Sequence, residues 1–198
     1  MAEVSLVSVR AERLGHAHQT CAGFDVPRIV RAMACADEML AVAASRRDGL
    51  AASGLGPRPR RRVAVLACMD ARMDLFEMLG LERGDAHIIR NAGGLVTDDA
   101  LRSLSVSQRL LGTEEIVVVM HEGCGLCGAS DDRFAAELAT DGVVANWRLG
   151  AFQDLEATLR DGLERLRTSP ELFARDQIRG LVFDPETGVL REVIGTRG

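Results

Sequence analysis

Two apolar runs in this sequence end in residues that bind metals. Val63-Ala64-Val65-Leu66-Ala67 leads into Cys68, and Ile116-Val117-Val118-Val119-Met120 leads into His121. Cys124 follows three residues later, between Gly123 and Gly125. In open α/β sheets, sites form beyond the carboxyl ends of strands, where strand order switches. If the two runs are neighbouring strands, Cys68 and His121 face one crevice. The flanking glycines then let the chain fold back tightly enough to bring Cys124 to them. Two thiolates and one imidazole suit Zn²⁺, one ion per chain. The thiolate charges cancel the metal's, so a water there is harder to ionise than at a three-histidine site. An acceptor beside that water helps orient it. Asp70, two residues past Cys68, is such a group, and Arg72 is spaced to hold it in a bidentate, charge-assisted pair.

These residues need a scaffold, and the periodicity supplies one. Residues 62–67 and 115–120 read as buried parallel strands, because continuous β-branched runs suit strands covered on both faces. Residues 86–90 read as a further strand, followed by the turn Asn91-Ala92-Gly93-Gly94. A helix is predicted over 28–48 from apolar residues at Ile29, Met33, Ala36, Leu40 and Ala43. The side carrying Met33 and Met39 reads as core or subunit interface. Further helices are expected over 74–79, from Thr97 as N-cap to about Leu111 with Gly112 ending it, and over 131–140 and 152–167. Residues 178–183 and 189–194 flank a turn at Asp184-Pro185-Glu186-Thr187-Gly188 and read as a strand pair. Strands alternating with helices give an α/β fold. It has a mostly parallel sheet of about four strands with an antiparallel edge strand, flanked by helices. The whole chain, 1–198, reads as a single domain, with an N-terminal arm and helices over 1–55 and an α/β zinc core over 56–198.

Composition narrows the function. With 47% hydrophobic residues the chain can bury a full core. A net charge of -5 argues against a nucleic-acid partner. The basic run Arg58 to Arg62 reads as a solvated approach to a strand. No apolar run nears the roughly 20 residues needed to span a bilayer, and the first residues lack the pattern of a signal peptide. A cytoplasmic setting is therefore expected, where the five cysteines stay reduced.

Together, Cys68-Met69-Asp70-Ala71-Arg72 and His121-Glu122-Gly123-Cys124 resemble the C-x-D-x-R and H-x-x-C signature of β-class carbonic anhydrases. The stretch Gly84-Asp85-Ala86-His87-Ile88-Ile89-Arg90-Asn91-Ala92-Gly93-Gly94 looks like that family's strand and Asn-Ala-Gly-Gly loop. Ser103-Leu104 and Ser107-Gln108 fall where its next helix lies. The match is close from about Arg62 to Gly125, and nearer the short bacterial branch than the plant one, since the chain has no tyrosine. The resemblance implies that Cys68, His121 and Cys124 hold zinc, and that water activated there converts CO₂ to bicarbonate and a proton. It implies that Asp70 orients this water and that Arg72 keeps Asp70 ionised and off the metal. It implies a homodimer or higher even homo-oligomer whose pocket borrows apolar side chains from the second subunit. Some related proteins hydrolyse carbonyl sulfide or carbon disulfide on the same scaffold. Glu122 departs from the Ser or Thr of many relatives and adds a negative charge beside the site.

Other residues carry weaker readings. Cys127 forms a C-x-x-C with Cys124; it reads as packing, with a fourth ligand or a redox partner as alternatives. A zinc-holding redox sensor is thus the non-catalytic rival. Cys21 and Cys35 read as packing residues, His87 as a strand residue in core or at surface, and His16 and His18 as part of the loose arm.

Overall fold

The apolar runs become the middle of one sheet. The computed structural model describes residues 35–51 and 54–193. Its strands are β1 (Val63–Cys68), β2 (Ala86–Asn91), β3 (Glu115–His121), β4 (Ile178–Phe183) and β5 (Leu190–Val193). They lie in the order β2-β1-β3-β4-β5, parallel except for the β4–β5 pair. This is the α/β sheet with an antiparallel edge that the sequence predicts. Every residue of β1 is buried, as expected of a central parallel strand covered on both faces.

The chain divides into two units, residues 1–51 and 52–198. The first contains α1 (Cys35–Ser45) and α2 (Arg47–Leu50). The continuous helix expected over 28–48 is corrected here: α1 stops at Ser45, Arg46 makes a turn, and α2 runs through Gly49. Residues 28–34 lie outside the described residues. Within this unit no residue of α1 is buried, and Met39 and Leu40 are exposed.

The helices of the second unit start where side chains cap them. Asp74 accepts hydrogen bonds from the backbone N–H groups of Phe76 and Glu77 at the start of α3 (Leu75–Leu79). Thr97 does the same for Ala100 in α4 (Asp98–Arg109), with Asp98 and Asp99 in its first turn. The end of α4 precedes Gly112: Leu110 is its cap, and Gly112, at φ 74°, donates to the Gln108 carbonyl one turn back. Ser130 caps α5 (Asp131–Thr140) and Asp154 caps α6 (Leu155–Thr168). The Asp154 cap explains why the last helix begins at 155 rather than 152. Helix α6 buries Leu159, Leu163 and Leu166, one helical stripe. That stripe packs on β4 because Gly180 has no side chain; a Cβ there would stand 2.7 Å from Leu163 Cδ1. Among the described residues no helix is long and apolar enough to cross a membrane.

The basic run before β1 is more than a solvated face. Arg60 Nε donates to Asp85 Oδ1 at 2.9 Å, and Arg61 Nε lies 3.2 Å from Asp85 Oδ2. The Glu82 N–H also donates to Asp85, at 2.9 Å. This buried carboxylate ties the entry of β1 to the entry of β2. The Glu82 N–H and the two guanidinium groups hold its pKa below the ordinary Asp value. A carboxyl lowered on folding stabilises the fold above its unfolded pKa of about 4, and that stability is lost as pH falls below it. Asp85→Asn is therefore expected to weaken the protein clearly at pH 7 and progressively less toward pH 3. Urea melts of both proteins at the two pH values check this; a difference independent of pH would count against it.

Candidate metal centre

The sheet delivers the predicted ligands to one place. β1 and β3 pair in parallel with Ala67 opposite Val119, so Cys68 and His121 emerge at the same end. The ligand atoms of Cys68, His121 and Cys124 all lie within 4.8 Å of one another, and all three residues are buried. Cys124 reaches them through a turn with Gly123 at φ 64° and a Cys127 N–H bond to the Cys124 carbonyl at 3.0 Å.

A glycine makes this approach feasible. The Asn91 side chain bonds to both the N–H and the carbonyl of Leu95, at 2.9 and 2.7 Å, and so pins the turn Ala92–Gly94. That turn wedges between the ends of β1 and β3. A Cβ on Gly94 would lie 2.9 Å from both Cys68 N and Val119 O, and its φ is 68°.

His121 shows most plainly that the cluster suits a metal. Its Nδ1 lies 2.9 Å from the Glu122 carbonyl, which can only accept, so Nδ1 carries the proton. In the neutral ring Nε2 then presents a lone pair. That atom is buried with no hydrogen-bond partner. The nearest carboxylate oxygen, Asp70 Oδ2, is 3.7 Å away, beyond hydrogen-bond range. A lone pair orphaned beside two sulfurs is poorly satisfied unless a cation sits among them. Thiolate and imidazole donors are those zinc takes. Burial pushes the Cys124 thiol up, helped by the neighbouring Cys68. The Cys124 thiol thus favours its neutral form until a cation displaces its proton.

Asp70 and Arg72 form the predicted pair. Arg72 Nε donates to Asp70 Oδ1 and Nη2 to Oδ2, both at 2.9 Å, and the Arg72 N–H adds a bond to Oδ1. The guanidinium bonds hold the Asp70 carboxyl well below the usual carboxylate range. Arg72 Nη2 also donates to the Gly123 carbonyl at 3.3 Å, joining the Cys68 loop to the Cys124 loop. Asp70 stands beside the three-ligand cluster and is not a member of it.

Other candidates fall outside. Cys127 is exposed and not in the cluster, its Sγ 3.9 Å from the Gln153 carbonyl. His87 bonds Ser107 Oγ and the Pro57 carbonyl, a structural role at the sheet edge. Cys21, His16 and His18 lie outside the described residues. Two participants escape sequence reasoning. Arg90 reaches the backbone of the Cys68 loop, and Arg191 of β5 pairs with Glu122 at 3.0 Å. Arg90 lies in the run Ile88-Ile89-Arg90-Asn91-Ala92-Gly93-Gly94, but a strand-end arginine does not announce its acceptors. Nothing near Arg191 signals its reach.

The fold and site together define an α/β protein with a Cys-His-Cys centre at the carboxyl ends of two adjacent parallel strands. The carbonic anhydrase family profile matches residues 63–178. β-Carbonic anhydrase 1 of Mycobacterium tuberculosis is 43% identical over 136 residues, covering 68% of this chain and 83% of that protein. A carbon disulfide hydrolase of Acidithiobacillus thiooxidans is 35% identical over 158 residues, covering 69% and 79%. The crystal structure of a carbonic anhydrase from Streptococcus mutans superposes with a TM-score of 0.77 at 38% identity, over 83% of this chain and 100% of that one. The chain belongs to the carbonic anhydrase family, in its β class, and is an enzyme of that family.

The wedge yields a prediction. Gly94→Ala forces Cys68 and Val119 apart, whereas at Gly112, also left-handed, a Cβ meets nothing within 4 Å. Gly112→Ala is expected to show backbone strain alone. Gly94→Ala should lose about 1–3 kcal/mol of stability to overpacking and bind less than one zinc per chain. Metal analysis with thermal melts of both variants checks this; equal zinc content in the two would oppose it.

Proposed function

We propose that this chain catalyses the reversible hydration of CO₂ to bicarbonate and a proton, with one zinc held by Cys68, His121 and Cys124. The observation that carries the proposal is a carboxylate with one free lone pair beside three metal donors. Asp70 Oδ1 accepts two N–H bonds from Arg72, which fills it. Oδ2 accepts one, and it is the oxygen 3.7 Å from His121 Nε2. Bound zinc would supply Lewis acidity, making a water acidic enough to act as a nucleophile near neutral pH.

The residues of the chain do the rest. Asp70 Oδ2 accepts a hydrogen bond from the attacking oxygen and turns that oxygen's lone pair toward the CO₂ carbon. Arg72 keeps the carboxylate ionised, so it cannot donate a proton in the wrong sense. By occupying three of the four acceptor positions, Arg72 also fixes which oxygen faces the site and holds it off the metal. The Glu122 carbonyl keeps the His121 proton on Nδ1, reserving Nε2 for the metal. The site needs reduced thiols, which fits a cytoplasmic enzyme. We further take the working unit to be a homodimer or a higher even homo-oligomer, with CO₂ and bicarbonate as its small-molecule partners.

A second reading has specific support. Carbon disulfide hydrolases of Acidithiobacillus thiooxidans and Saccharolobus solfataricus are 35% and 36% identical to this chain. Carbon disulfide and carbonyl sulfide are linear and electrophilic at carbon, so the same nucleophile serves all three substrates. Turnover on CO₂ and on the two sulfur compounds, measured on one preparation, separates the readings.

Asp70→Asn and Arg72→Ala test the mechanism. Asp70→Asn should keep its zinc and lose about 100-fold or more in CO₂ exchange, the usual scale for a positioned proton acceptor. Arg72→Ala should fall less at high pH than at low pH, because its loss raises the pKa of Asp70. Full exchange in either zinc-loaded variant removes that residue from the mechanism.

A further inference from the structure

The loop from Cys68 to Met73 contains a zinc-binding candidate, the orienting carboxylate and the arginine that holds it. The β1–β2 ladder reaches as far as Met69, whose N–H donates to the Asn91 carbonyl at 2.9 Å. Beyond that the chain turns back on itself with a single Met73 N–H bond to the Asp70 carbonyl, at 3.1 Å. Packing holds the two ends of this stretch, where Cys68 and Met73 are buried, but between them Met69 is 65% exposed and Ala71 and Arg72 are exposed too.

One side chain from the neighbouring strand spans the whole loop. Arg90 lies opposite Ala67, one residue before the loop begins. Its Nε donates to the Cys68 carbonyl at 2.9 Å, Nη2 to the Asp70 carbonyl at 2.6 Å, and Nη1 to the Met73 carbonyl at 3.3 Å. The start, middle and end of the loop are thus bound to one rigid planar cation. A guanidinium presents its donors in a fixed fork, so three acceptors bound to it hold a fixed geometry relative to one another. Bonds from an ionised donor are also the stronger ones.

The same run grips Cys68 from its other side. Gly94, four residues on, packs against Cys68 N closely enough to exclude a Cβ. The Cys68 residue is therefore held at its nitrogen by the turn and at its carbonyl by Arg90. Asp70 is held twice as well, by Arg72 at its carboxylate and by Arg90 at its carbonyl.

We propose that Arg90 is a positioning residue that fixes the Cys68–Met73 backbone as a frame, and so sets both metal affinity and the place of the Asp70 carboxylate. It acts through the loop and touches no reacting atom. This rests on reading Cys68, His121 and Cys124 as the metal ligands, and it does not depend on which substrate is turned over.

The test is made on the full chain with Arg90→Met and Arg90→Lys. Zinc affinity is measured by competition with a chromophoric chelator, and geometry by the absorption spectrum of the Co²⁺-substituted protein. Arg90→Met is expected to lower zinc affinity by about 10- to 100-fold, the scale seen when groups that orient ligands are removed. Its cobalt spectrum should shift. Arg90→Lys should fall between, since an ammonium reaches one carbonyl but cannot bridge three. A residue that only stabilised the fold would lower the melting temperature and leave affinity and spectrum unchanged at 25 °C. That result in folded Arg90→Met overturns the proposal. Should Arg90→Met fail to fold, wild-type affinity and spectrum in Arg90→Lys overturn it equally. Zinc-loaded wild-type protein inactive on CO₂ would reject the proposed reaction, and the affinity series would still decide the role of Arg90.

Discussion

The site depends on the adjacency of two parallel strands. β1 and β3 are distant in sequence, yet side by side in register they end together, and each ends in a metal donor. A parallel pair needs a long crossover connection, here one that includes β2 and α4. The crossover places β2 on the outer side of β1 and so puts Arg90 beside the first donor loop. Residues that never touch the metal candidates are thus recruited by topology. Swapping β2 to another edge would leave the ligands in place and remove the frame around them.

Packing and polarity compete at this point, and the compromise explains the glycines. Bringing two thiols and an imidazole together buries groups that prefer water when charged. Burial raises the Cys124 thiol accordingly, so that thiol favours its neutral form until a cation arrives. The protein answers with backbone carbonyls and guanidinium groups in place of further apolar packing. Arg72 and Arg90 bind carbonyls on both metal loops, which requires those loops to pass close to each other and to the Ala92–Gly94 turn. Close passage leaves no room for a side chain at Gly94. An alanine there would be the smallest possible change and would still meet backbone on two sides.

Much of this was legible in the sequence, for identifiable reasons. The strands show because buried parallel strands are continuous apolar runs, and the candidate ligands show because they stand where those runs stop. Thr97 reads as a cap because its hydroxyl has one good local use, and it does accept from Ala100. Asp70 and Arg72 are legible because their pairing is local, two residues apart. Less legible were contacts made by long side chains across elements. Arg60 and Arg61 looked like a solvated basic run, yet they clamp a buried carboxylate some 25 residues away, a partner that periodicity cannot name. The first helix ends short of the predicted 48 because the apolar spacing stops at Ala43, while the turn at Arg46 has no glycine or proline to mark it. Met39 repeats at helical spacing and is exposed, since amphipathic spacing says that a face is apolar without saying what covers it.

Glu122 shows how a departure from a family pattern can be absorbed locally. A carboxylate next to a metal ligand would compete for the cation or repel a departing anion. Here it turns away, to Arg191 at 3.0 Å, and the other arm of that guanidinium reaches Glu156 of α6 at 2.6 Å. Arg160 closes the chain on Glu156. Single exposed ion pairs contribute only about 0–1 kcal/mol each, so stability is a weak reason for the network. Direction is a better one. Arg191 sits on the antiparallel edge strand, two strands from His121, and holds the Glu122 carboxylate, while the Glu122 backbone carbonyl accepts the His121 Nδ1–H. One residue thus does two jobs, with its side chain neutralised at the sheet edge and its backbone fixing the imidazole. The short edge strand, remote from the cluster in the sheet order, thereby supplies the countercharge to the residue that follows His121.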